Sequence, residues 1–187
     1  GCGSMKFENV GRRLENLSRQ IGEKDVSGSC GISHNRWATY GEARDENAHP
    51  HFDQSGKLVL VHNGVIENYQ KLRDELEADG HQFLSQTDSE VLGHLIGLEY
   101  DNQNGANGGN SEENLVAAVR GALKRVSGTY GIAVMHVDAP DFMVGARLGS
   151  PHSGGMWKGE TFVASDVYAV VAHTWHAMYR DDTGVAG

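Results

Sequence analysis

The sequence predicts a single layered α/β or α+β domain built on mostly antiparallel sheets, and three observations predict it. Helix-patterned segments follow one another between two groups of strand-patterned segments, instead of alternating strictly with strands as in a doubly wound parallel sheet. Glycine is abundant and proline rare, 25 against three, and several glycines stand in turn-like pairs such as Asn63-Gly64, Ser127-Gly128 and Leu148-Gly149. That composition suits many short strands with tight connections. The length of 187 residues is enough for one domain with a real core and too little for two comfortable ones.

The first element is a helix, because Val10, Leu14, Leu17 and Ile21 recur at four, three and four residues, the stripe of an amphipathic helix. Asn9 is placed to start it and Gly22 to stop it. Residues 29–37 read as a strand that runs into a polar loop over 39–50. Residues 57–61 are apolar and β-prone, and this strand is expected to end at His62-Asn63-Gly64. Leu72 and Leu76 mark a helix over 68–79, closed by Gly80. Thr87-Asp88-Ser89-Glu90 has capping-box spacing, and Val91, Leu92, Leu95 and Ile96 follow on one face. Residues 101–110 carry no apolar face and read as a surface loop. Another helix is expected over 111–126, with Leu115, Val119, Ala122 and Leu123 inward, and strands over 129–137, 142–147, 161–164 and 168–173. No segment repeats at a fixed period.

Composition excludes several classes. Hydrophobic residues at 39% and charged residues at 22% belong to a globular chain rather than to a disordered or fibrous one. Sixteen basic against 25 acidic residues give a net charge of −9, which repels a phosphate backbone, so no nucleic-acid partner is expected. The apolar runs are too short to span a bilayer, and no membrane association is expected. Nothing at the start resembles a secretory signal, so the expectation is a cytoplasmic protein whose two cysteines, Cys2 and Cys30, are free thiols. The pairs His49-Pro-His51 and His173-x-x-His176 lack a matching third ligand, so no metal is expected. No phosphate-cradling glycine loop is present, and no cofactor is expected.

Three places could carry chemistry. His34-Asn-Arg36-Trp37-Ala-Thr39 joins a fixed cation, an indole and a hydroxyl at a strand end. Arg36 could hold a carboxylate in a two-pronged contact, or could simply stack on Trp37 at the surface. Asn63-Gly64 is either a tight turn or an oxyanion hole, one amide N–H from the Asn63 side chain and one from the Gly64 backbone. The turn explains less than usual, because Ile66-Glu67-Asn68-Tyr69 does not continue as a returning strand. Asp88 starts a helix, where capping suffices to explain it, although its carboxylate could also receive a ligand ammonium.

Six motifs then occur in order: Gly31-Ile-Ser-His-Asn-Arg-Trp-Ala-Thr39, Asn47-Ala-His-Pro-His51, Val61-His-Asn-Gly-Val-Ile-Glu-Asn-Tyr69, Ser85-Gln-Thr-Asp-Ser-Glu-Val91, Ala146-Arg-Leu-Gly-Ser-Pro151 and Val163-Ala-Ser-Asp166. Together they resemble the glutaminase domains of glutamine–fructose-6-phosphate aminotransferases (isomerising), a class II glutamine amidotransferase family. The resemblance implies an α+β fold of N-terminal-nucleophile hydrolase type, a four-layer α/β/β/α sandwich of antiparallel sheets. It implies hydrolysis of L-glutamine to glutamate and ammonia, with the ammonia passed to a sugar-phosphate isomerase domain for glucosamine-6-phosphate synthesis. By the same resemblance Arg36 would hold the glutamine α-carboxylate and Asp88 its α-ammonium. Trp37 and Thr39 would belong to a loop closing over glutamine, and Asn63 and Gly64 would form the oxyanion hole.

The sequence also departs from the family pattern. The resemblance implies a nucleophilic cysteine whose own free α-amine assists proton transfer. Cys2 is the candidate, yet Gly1 precedes it. A segment with an Arg-Gly-Tyr-Asp-Ser-type motif, which the family carries before the first helix, is not in this sequence. Tyr40 stands where the family usually has histidine and Ala43 where it usually has proline, while Cys30 is expected to be structural. Residues 1–5 read as a scar or splice and 6–187 as one shortened glutaminase domain. Such shortening would bare a sheet edge, giving lower stability or pairing with another chain, a homo-oligomer. The alternative function is a glutamine-binding fragment without a competent N-terminal cysteine.

Overall fold

The structure, a computed structural model, describes residues 29–35, 41–42, 44–107, 110–150, 153–157, 160–166, 168, 177–179 and 183–186. The helix expected from Val10 to Ile21 lies outside the described residues, as do Cys2, Arg36, Trp37, Thr39, Tyr40 and Ala43.

After a short 3₁₀ turn at Asp45–Asn47 come β1 (His51–Phe52) and β2 (Leu58–Ile66), then three successive helices, α1 (Tyr69–Ala78), α2 (Asp88–Asn107) and α3 (Ser111–Leu123). Six strands follow: β3 (Gly128–His136), β4 (Ala139–Leu148), β5 (Ser153–Trp157), β6 (Glu160–Ala164), β7 (Ala177–Tyr179) and β8 (Thr183–Ala186). The larger sheet has the order β1-β2-β3-β4-β8 and the smaller β6-β5-β7, and every strand pair in both is antiparallel. The expected α+β class of antiparallel sheets and helices is therefore what the chain adopts.

The helices cover one face of the larger sheet. Along β2, Leu58, Leu60, His62 and Ile66 are buried while the residues between them are partly open, the period-two alternation of a strand with one covered face. Val91, Leu92, Leu95 and Ile96 of α2 are each 1% exposed or less, worth about 1.5–3 kcal/mol apiece in apolar burial. They join Leu72 and Leu76 of α1, Leu115 and Val119 of α3, and Ile132, Val134 and Val144 of the sheet in one core. α2 approaches so closely that a Cβ on Gly97 would lie 2.7 Å from the Asp53 Cβ. The smaller sheet meets the larger where Val163 Cγ1 comes within 3.9 Å of the Cβ position of Gly145.

Five expectations need correction. β2 does not stop at His62: Asn63 pairs with Gly131 and Gly64 with Tyr130 in an unbroken ladder, so Asn63-Gly64 is strand and not turn. Residues 29–35 form no ladder; side-chain contacts attach them instead, from Ser29 Oγ to Asp141 (2.6 Å), Cys30 Sγ to Met135 (3.8 Å) and His34 to Asn63. The surface loop expected over 101–110 is helical as far as Asn107, because α2 simply extends, with Asn104 accepting a 2.7 Å hydrogen bond from Asn114 of α3. The helix expected to reach Val126 ends at Leu123, where Lys124 caps it. Of the strand expected over 168–173, Tyr168 is helical and the remainder lies outside the described residues. No strand was expected where β1, β5, β7 and β8 lie.

Candidate active site

Three sequence-predicted site residues are described, and the fold brings them to one end of β2. Gly64 has φ +136°, and a Cβ there would sit 2.2 Å from the Thr129 carbonyl oxygen. Across the ladder Gly128 has φ +122°, and its Cβ would meet the Val65 carbonyl at 2.1 Å. Only glycine fits either place, so β2 and β3 close against each other tightly where Asn63 and Gly64 stand.

Asp88 opens α2 and is 5% exposed. Its Oδ2 accepts the Ile66 backbone N–H at 2.9 Å, which ties the start of α2 to the end of β2. A carboxylate is favoured at a helix N-terminus by the helix dipole. The capping box forms by one arm: Thr87 Oγ1 accepts the Glu90 N–H at 3.2 Å. The Glu90 carboxylate does not reach back to Thr87, and instead accepts from Leu84 N–H (2.9 Å), Ser85 N–H (2.7 Å) and Ser85 Oγ (2.6 Å). It thereby locks the loop leading into the helix.

Histidines surround this corner. His34 Nε2 lies 2.8 Å from Asn63 Oδ1, and the His34 ring lies over that of His49, centroids 4.0 Å apart. His49 Nε2 and His62 Nδ1 both approach Ser89 Oγ, at 3.1 and 2.9 Å. His51 meets His49 edge to face at 4.8 Å and bonds Thr87 Oγ1 at 3.1 Å. His49 and His51 thus bond Ser89 and Thr87, on either side of the residue that opens α2. Burial pushes the His62 pKa below its ordinary value; the nearby Asp88 charge opposes that shift and His34 adds to it. Asn47, fully buried, accepts the Gln86 N–H at 2.8 Å and donates to the Glu42 carbonyl at 2.9 Å, fastening the 41–50 loop to the entry of α2.

The arrangement offers a side-chain amide beside a glycine in a strand, a buried carboxylate at the adjoining helix start, and histidines linking the two. Arg36, Trp37, Thr39 and Cys2 lie outside the described residues. Sequence reasoning passed over His34, His49, His62 and Ser89 as site components. Their presence inside the quoted motifs was the one available signal.

A glutamine amidotransferase domain model matches residues 34–170. The chain is 44% identical over 187 residues to glutamine–fructose-6-phosphate aminotransferase [isomerizing] of Chlorobaculum tepidum, covering 98% of this chain and 29% of the relative. It is 41% identical to the enzyme of the same name from Acinetobacter baylyi over 182 residues, 97% of this chain and 28% of the relative. It spans less than a third of the length of either. Among solved structures, glutamine phosphoribosylpyrophosphate amidotransferase from B. subtilis aligns with a TM-score of 0.58 at 26% identity, over 82% of this chain and 33% of that one. A structure described as the allosteric regulatory enzyme of purine biosynthesis gives 0.61 at 29% identity, over 81% and 31%. These likenesses bear out the N-terminal-nucleophile hydrolase type of α+β fold. The match covers most of the chain and includes Asn63, Gly64 and Asp88, and the chain belongs to the glutamine amidotransferase domain family.

Proposed function

We propose that this domain binds L-glutamine and hydrolyses it to L-glutamate and ammonia, the ammonia serving glucosamine-6-phosphate synthesis from fructose 6-phosphate on a sugar-phosphate isomerase domain outside this chain. The observation that carries the reading is the Asp88–Ile66 hydrogen bond, which sets a buried carboxylate beside the strand end bearing Asn63 and Gly64. In this reading Asp88 receives the α-ammonium of glutamine, Arg36 its α-carboxylate, and Trp37 and Thr39 close over it. The Cys2 thiolate attacks the γ-carboxamide carbon, forming a C–S bond and an oxyanion that accepts from the Asn63 amide and the Gly64 N–H. Collapse breaks the C–N bond, the departing nitrogen taking up the proton the thiol gave up and leaving as ammonia; water then cleaves the thioester C–S bond, giving glutamate and returning a proton to the thiol.

A second reading is favoured by one sequence fact: Gly1 precedes Cys2, so Cys2 carries no free α-amine. The domain would then bind glutamine without cleaving it. Measuring glutamate release from L-glutamine by the 187-residue chain, beside Cys2→Ala and Asn63→Ala, separates the two. Hydrolysis predicts release abolished by Cys2→Ala and lowered about 100-fold or more by Asn63→Ala. Release indifferent to Cys2 would sink the assigned nucleophile, and no release above the Cys2→Ala background would leave the binding reading.

A further inference from the structure

An asparagine can serve an oxyanion only if its Nδ2 hydrogens, and not Oδ1, face the reacting carbonyl. The two ends of the amide are nearly equal in size and opposite in polarity, so a neighbour must select the orientation. His34 is that neighbour, with Nε2 2.8 Å from Asn63 Oδ1. A carbonyl oxygen only accepts, so this contact requires a hydrogen on Nε2, and it leaves Nδ2 for another partner.

The His34 ring is itself held in place. It lies over His49 at 4.0 Å, tilted by 35°; His49 Nε2 reaches Ser89 Oγ, and Ser89 Oγ also reaches His62 Nδ1. Ser89 has one hydroxyl hydrogen, so at least one of these two rings donates to it. Ser89 and His62 are 3% and 4% exposed, which leaves little access for water. His62 adjoins Asn63 in β2, so the contacts close into a loop. By strand alternation His62 faces the helices and Asn63 the opposite side. Among the described residues β1 covers the outer edge of β2 only opposite Val59 and Leu60, and the Ser89–His49–His34 chain links the helix layer to Asn63 on the other face.

We propose that His34 is a positioning residue: as an Nε2–H donor clamped by His49 and Ser89, it sets the orientation of the Asn63 amide and couples it to the turn of α2 that presents Asp88. This rests on the reading of Asn63 as an oxyanion donor.

The test uses the full 187-residue chain. In ¹⁵N NMR of the histidine-labelled protein, His34 Nε2 is expected to resonate as a protonated nitrogen, with its signal displaced in Asn63→Ala. An unprotonated Nε2 would overturn the proposal without any variant having to fold. Calorimetry with L-glutamate, whose γ-carboxylate places an oxygen at the oxyanion position, supplies the second readout. Asn63→Ala and His34→Phe should each weaken binding about tenfold, with little further loss in the double variant. His34→Gln, which retains an N–H donor, should stay within about threefold of the parent. Weakening by Asn63→Ala but not by His34→Phe would refute the positioning role and leave the oxyanion reading standing. If Asn63→Ala binds glutamate as the parent does, that underlying reading fails and the role of His34 falls with it.

Discussion

Replacing Gly64 by alanine should be among the most damaging single-methyl changes this protein can suffer. Two costs add at that position. With φ at +136°, a side chain is forced into a region that residues other than glycine scarcely enter, worth about 1–3 kcal/mol. The new Cβ would lie 2.2 Å from the Thr129 oxygen and 2.7 Å from its carbonyl carbon. Both atoms are backbone of the paired strand and cannot turn aside, so β2 and β3 must separate, at about 1–3 kcal/mol more.

Gly56 provides the control. Its φ is +70°, and a Cβ there meets nothing within 4 Å, so Gly56→Ala incurs only the left-handed backbone cost of about 1–2 kcal/mol. Both substitutions relieve the unfolded chain of the same glycine entropy, which cancels between them. Gly64→Ala should therefore be less stable than Gly56→Ala by about 2–3 kcal/mol. In urea unfolding followed by circular dichroism, that separates the midpoints by about 1 M or more. Equal midpoints would refute the close β2–β3 approach, and with it the placement of Asn63 and Gly64 inside an unbroken strand.

Acid should destabilise the fold through its buried histidines. Burial, outweighing the attraction of Glu90, lowers the His94 pKa from 6.5 to about 4, and burial lowers His62 and His136 as well. Between those two values the unfolded chain binds the His94 proton and the folded one does not, so stability present above pH 6.5 is lost as pH falls toward 4. His94 alone accounts for at most about 3 kcal/mol; urea midpoints that stay flat from pH 7 to 5 would contradict this. Glu90→Ala strips the acceptor from Leu84 N–H, Ser85 N–H and Ser85 Oγ. Ser85 is buried while Leu84 is open, so the cost should be about 2–4 kcal/mol. Thermal unfolding of the variant within 1 °C or so of the parent would rule that out.

What the sequence revealed depended on how local the deciding interaction was. The stripe Val91, Leu92, Leu95, Ile96 and its Thr87 start were readable because a helix satisfies its backbone within itself. The polar continuation to Asn107 was not, since composition argued for a loop while the Asn104–Asn114 contact belongs to the packing of α2 on α3. Asn63-Gly64 is the commonest hairpin dipeptide, and only its partners Gly131 and Tyr130, far along the chain, make it strand. In the site, Asn63, Gly64 and Asp88 could be named from motifs, and their meeting at one strand end depends on the Asp88–Ile66 bond. The histidine chain from Ser89 to Asn63 draws on three separate segments, and no spacing within any of them announces it.

The central claim is that Asp88 is the ammonium-binding group of a glutamine pocket, and calorimetric titration of L-glutamate, which carries the same α-ammonium and is not turned over, into the parent and Asp88→Asn tests it most directly. Asparagine keeps an oxygen to accept the Ile66 N–H, so the fold is preserved while the charge is removed. The account predicts saturable binding to the parent, weaker by about 30-fold in the variant. No binding to the parent, or equal affinity in both proteins, would contradict it.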